Sequence, residues 1–170
     1  MTSVVKTGSS PCLKFVSVAN CEVLHYGQGL EKVLVFCQTK ADANDLSYQK
    51  KKLQMNIEVM HGDIAQHMRE LTLEGFKRGR FQVLVATDVA SRGLDIPNVD
   101  LVVQIEPPNE TETYIHRSGR TARAGAEGLC ITLFCSRAQN DKLFEIETRC
   151  GIKMTQAPLP TEATPAFTRA

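Results

Sequence analysis

Arg117, Arg120 and Arg123 stand three residues apart within His116-Arg117-Ser118-Gly119-Arg120-Thr121-Ala122-Arg123. On helical turns that spacing places their guanidinium groups on neighbouring parts of one surface. Such a group of cations grips phosphate oxygens through paired, parallel N–H donors. Gly119 and Gly125 let the backbone approach a partner closely. An arginine triplet by itself is as often a solvated basic helix end. The adjoining His116 and the glycines favour a phosphate site.

A second chemical segment reads Ala86-Thr87-Asp88-Val89-Ala90-Ser91-Arg92-Gly93-Leu94-Asp95-Ile96-Pro97. A buried strand ends at Thr87, where a hydroxyl and backbone N–H groups suit a phosphate. Gly93 permits close backbone approach. Asp95, an acceptor only when ionised, suits a ribose diol. An isolated Arg-Gly-x-Asp is more often a turn than a site; its position after a strand shifts that balance.

The elements that position these residues alternate along the chain. Leu13–Val18 alternates well enough for a first strand, and Val33–Cys37 is a continuous apolar run of the kind buried on both faces of a parallel sheet. Helices are expected at 42–53, 66–78, 110–117 and 142–150, with further strands at 57–60, 81–86, 101–105 and 128–134. Strands alternating with helices of this length make right-handed βαβ units around a mostly parallel sheet, an α/β domain. Residues 1–11 read as a mobile end, 12–155 as the domain and 156–170, with Pro158, Pro160 and Pro165, as linker or tail. Ligands in such sheets gather beyond the C-terminal strand ends. Thr39, His61-Gly62-Asp63, Thr87-Asp88 and the arginine-rich helix all follow strands, which lines polar groups along one sheet edge.

Composition bounds the partners. With 42% hydrophobic residues in 170, the chain builds one proper core. A formal charge of +1 excludes a purely electrostatic nucleic-acid binder, so any such contact is a local patch. Lys77, Arg78 and Arg80 extend that patch or form a solvated face. Six cysteines without a CxxC pair read as reduced thiols in an intracellular protein, and no metal site is expected. No run approaches the roughly 20 apolar residues of a membrane span.

The two segments, in this order, resemble motifs V and VI of the DEAD-box RNA helicases. Val35-Phe36-Cys37-Gln38-Thr39 resembles motif IV, and His61-Gly62-Asp63 with Gln66 and Arg69 resembles the family's HGD segment and QxxR motif. Together they cover about 32–123. The resemblance implies a RecA-like three-layer sandwich, the C-terminal of two such domains. It implies that Arg120 and Arg123 reach the γ-phosphate of ATP bound on the other domain, and that Asp95 holds the ribose. Arg92 links the nucleotide and RNA sites, and His116 contacts the DEAD sequence across the cleft. Thr39, Gln66, Arg69, Thr87 and Gly93 hold the RNA backbone, largely without regard to sequence. Two departures stand out: Ala122 replaces a usual Gly, and about 20–32 is shorter than the family's usual helix. The 104–120 stretch is similar to the nucleolar RNA helicase II group and its organellar relatives, which favours a nucleolar, otherwise organellar or cytoplasmic, setting.

The chain carries no GxxxxGK[ST] loop and no Asp-Glu-Ala-Asp, so the resemblance makes ATP with Mg2+ a substrate held mainly by an N-terminal partner domain. Catalysis is expected of the full-length protein and not of this part alone. The rival reading is a non-enzymatic module that binds RNA or protein.

Overall fold

The computed structural model describes residues 2–8, 30–48, 55–91, 95–96, 99–121 and 128–157. Their strands are β1 (Thr2–Gly8), β2 (Val33–Cys37), β3 (Ile57–Met60), β4 (Val83–Thr87), β5 (Leu101–Gln104), β6 (Gly128–Phe134) and β7 (Thr155–Ala157). Their helices are α1 (Lys40–Tyr48), α2 (Gln66–Lys77), α3 (Asp88–Ser91), α4 (Thr111–Ser118) and α5 (Arg137–Cys150). The strands form one sheet in the order β3-β4-β2-β5-β6-β1-β7, and every pairing among them is parallel.

The apolar runs occupy the middle of that sheet because only there are both faces covered. Every residue of β2, β4 and β5 is buried. Successive side chains point to opposite faces. Val33, Val35, Val83 and Val85 therefore pack with Ala43 and Leu46 of α1, while Leu34, Phe36, Leu84 and Ala86 pack with Leu73 and Phe76 of α2. Helix, sheet, helix: the three layers follow from the period of two. Truncating one such residue, as in Leu84→Ala, costs about 2–5 kcal/mol. A third cluster of Tyr114, Leu143, Ile146 and Met154 fastens α4 to α5.

Local chemistry explains where α5 departs from the expected 142–150. Ser136 accepts the Gln139 N–H as N-cap, so the helix starts at Arg137, and Gly151 ends it at φ 62° in the left-handed region. At the chain start, where a mobile end was expected, Thr2–Gly8 forms a strand. It pairs with β6 on one side and β7 on the other. The Ser and Gly content suggested disorder, yet Thr2, Val4, Val5 and Thr7 are β-branched and suit a strand once β6 offers its open edge. The sheet likewise runs to Ala157, two residues past the expected domain end. The expected strand at 13–18 lies outside the described residues.

Candidate functional site

Arg120 lies beyond the helix that carries Arg117. α4 ends at Ser118, and Gly119 and Arg120 form a turn. A Cβ on Gly119 would lie 2.9 Å from the Ile115 carbonyl oxygen, so the turn needs a residue without a side chain. Beyond it, Thr121 donates from Oγ1 to the Val99 carbonyl at 2.6 Å, and the Val99 N–H donates to the Arg120 carbonyl at 2.9 Å. The segment after α4 is thereby bolted to the residues entering β5.

Arg117 does not reach outward to phosphate. It is 2% exposed, and its guanidinium donates to both Asp88 carboxylate oxygens, Nε–Oδ1 at 2.8 Å and Nη2–Oδ2 at 2.6 Å. Nη1 donates to Gln104 Oε1 at 3.2 Å and to the Glu106 carbonyl at 3.3 Å. The Phe36 ring lies 5.2 Å beneath its centre. A buried guanidinium is tolerated only when its donors are satisfied, and breaking such a pair costs about 3–5 kcal/mol. Sequence reasoning missed this role. The signal was Gln104, a lone polar residue inside a buried strand, together with Asp88 directly after another.

His116 and Arg120 join this pair in one cleft, whose lining includes Phe36, Asp88, Ser91, Thr113, His116, Arg117 and Arg120. Arg120 is half-buried and His116 exposed. Arg123 and Ala122, and Arg92 and Gly93 of the preceding loop, lie outside the described residues. Nearby, burial pushes the Cys37 thiol up to about 12, which makes it an inert core thiol. Cys130, Cys135 and Cys150 are free as well. Burial first, and then the Asp42 carboxylate, also raise the Glu106 carboxyl above its usual range.

A second group gathers at the C-terminal sheet edge. The Cys37–Thr87 register sets the ends of β2 and β4 side by side, so Thr39 and Thr87 flank one ridge. Thr39 also has a structural role, because its Oγ1 donates to Asp42 Oδ2 at 2.6 Å and accepts the Asp42 N–H at 3.2 Å, capping α1. Lys40 reaches Asp63 at 2.6 Å, and His61 Nε2 meets Asn44 Oδ1 at 3.2 Å. Lys40 draws the Asp63 carboxyl below its ordinary range by hydrogen bond and charge. On α2, Gln66 donates to Glu70 at 2.8 Å, and Arg69 keeps its Nε buried with no partner.

Asp95 departs from the expected single edge. It is 86% exposed and meets Lys77 Nζ at 3.3 Å, while the Lys77 carbonyl accepts from Lys32 Nζ just before β2. Asp95 therefore sits toward the N-terminal edge, where the Arg120 backbone meets Val99. Lys77 and Arg78 belong there too, Arg78 pairing with Glu74 at 3.2 Å. They do not extend the Thr39–Thr87 ridge. No group of three or more His, Cys, Asp or Glu among the described residues could hold a metal ion.

Residues 18–125 match the family model described as helicase conserved C-terminal domain. The chain is 50% identical over 130 residues to nucleolar RNA helicase 2 of Rattus norvegicus, covering 76% of this chain but only 16% of that protein. The solved C-terminal domain of the DEAD-box protein Dbp5 is 29% identical, with TM-score 0.80 over 93% of this chain and 90% of that one. S. cerevisiae Dbp5 bound to RNA and ADP BeF3 is 30% identical, with TM-score 0.79 over 94% of this chain and 42% of that one. The chain belongs to the helicase conserved C-terminal domain family, as a RecA-like C-terminal domain of the DEAD-box type.

Proposed function

We propose that this domain is the C-terminal half of the motor of an ATP-dependent RNA helicase. Arg120, with Arg123, crosses to the γ-phosphate of an ATP bound on a preceding RecA-like domain, neutralising charge that develops on the transferred phosphoryl. Asp95 takes the ribose hydroxyls. His116 contacts the partner domain, and Arg92 couples the two sites. Thr39, Gln66, Arg69, Thr87 and Gly93 take the RNA backbone on the opposite edge. Mg2+ belongs mainly to the partner domain, so the isolated part turns over no ATP. The name of the rat relative makes the nucleolus the favoured compartment.

The observation that carries this reading is the cleft in which His116 and Arg120 flank the buried Arg117–Asp88 pair. It sets a half-buried arginine in the lining of a cleft, beside a rigid ion pair, on a domain with no phosphate loop of its own. The test mixes this purified chain with a separately expressed DEAD-containing domain and measures RNA-stimulated ATP turnover. Rescue that disappears with Arg120→Ala supports the helicase half; no rescue supports a non-enzymatic module. Competing RNA against DNA of one sequence separates RNA from DNA as the track, since only RNA carries the 2′-hydroxyl.

A further inference from the structure

We propose that Arg117 and Asp88 are positioning residues: their ion pair transmits the state of the RNA-facing end of β4 to the Arg120 side chain. The inference rests on the reading of Thr87 and Arg120 given above and adds the part that joins them.

Three observations carry it. Asp88 follows Thr87 directly, so whatever orders the end of β4 orders Asp88. Arg117 lies one turn before Arg120, and the Arg120 N–H donates to the Arg117 carbonyl at 3.1 Å, so the two backbones move together. Between these ends stands a contact with almost no slack. The Arg117 side chain is 3% exposed, that of Asp88 28%, and both carboxylate oxygens are engaged.

The surroundings stiffen the link. Gln104, the Glu106 carbonyl and the Phe36 ring hold the guanidinium in plane. Phe36 comes from β2, one residue before the strand end that leads to Thr39. A bound backbone pressing on Thr39 and Thr87 therefore acts on two supports of the same side chain. Arg117 itself stays off phosphate, because its donors are already committed inside the protein. Only a planar fork makes this set of contacts, and a lysine ammonium cannot.

The test uses the full-length protein and reads RNA-saturated kcat, KM for ATP, RNA affinity and thermal midpoint together. Asp88→Asn and Arg117→Lys each lower kcat on the order of 100-fold, the scale of a small misplacement of a catalytic group, while KM and RNA affinity hold. The double variant loses no more than either single one, because both break one contact. Should Asp88→Asn fail to fold, Asp88→Glu, which keeps the charge and shifts it by a methylene, must lower kcat in the same way. A folded variant with unchanged kcat overturns the proposal, as do losses that multiply in the double variant. Arg120→Ala is the reference. If it leaves turnover intact, the reading of the cleft fails; if it abolishes turnover while Asp88→Asn does not, only the link fails.

Discussion

Lys77 Nζ holds the Asp95 carboxylate at 3.3 Å, although the two come from opposite sides of β4 in the chain. On the proposed reading Asp95 takes the ribose, so the lysine competes with the nucleotide for the same oxygens. Lys77→Gln is expected to lower KM for ATP. The change stays within about fivefold, since a pair this exposed contributes only about 0–1 kcal/mol. It also shrinks as salt is raised. A KM that rises on removing Lys77 would show that the lysine helps the nucleotide instead.

Gly119→Ala tests the turn that presents Arg120. The added Cβ meets the Ile115 carbonyl oxygen at 2.9 Å, and that oxygen already accepts the Gly119 N–H at 2.8 Å. Relief requires opening the end of α4, at a cost of about 1–3 kcal/mol. Each kcal/mol lowers the melting temperature by roughly 2–4 °C at this chain size. Calorimetry reads the shift, and an unaltered midpoint would mean the turn relaxes freely.

Arg69→Ala tests the α2 arginine assigned to the RNA backbone. If its guanidinium meets an RNA phosphate, affinity falls for every sequence alike. The slope of log affinity against log salt becomes shallower by about 0.7, the share of one phosphate contact on a single strand. Titrations at several salt concentrations measure this, and an unchanged slope would assign Arg69 to the fold.

Glu106 supplies a pH test whose sign is definite. Burial, then Asp42, raise its folded-state pKa above the unfolded value of 4.5. The folded protein therefore binds the proton more tightly, and stability falls as pH rises through that range. Glu106→Gln removes the penalty. The variant should melt higher than the parent at neutral pH, modestly because solvent screens a half-exposed group, and the gap should close below about pH 4.5. A gap that widens in acid would reverse the assignment.

Much of the architecture was legible because it is written in local pattern. The runs of β2, β4, β5 and β6 are largely apolar, as strands covered on both faces must be, and the expected 57–60 and 128–134 match β3 and β6 residue for residue. The chemical residues were legible by type: arginines beside glycine, threonines after strands, and an aspartate in a loop.

What the chain did not reveal is which neighbour each of those residues would meet. Arg117 and Arg120 look equivalent in sequence, yet one is walled in by Asp88, Gln104 and Phe36 while the other is half-buried in the lining of a cleft. Asp95 follows soon after Thr87 in the chain but meets Lys77 near the far edge of the sheet. Thr2–Gly8 became a strand only because β6 had an edge to fill. Hydrophobic period acts over a few residues and survives in any reading of the chain. Charge pairing and edge pairing act across space between segments tens of residues apart, so folding alone decides them.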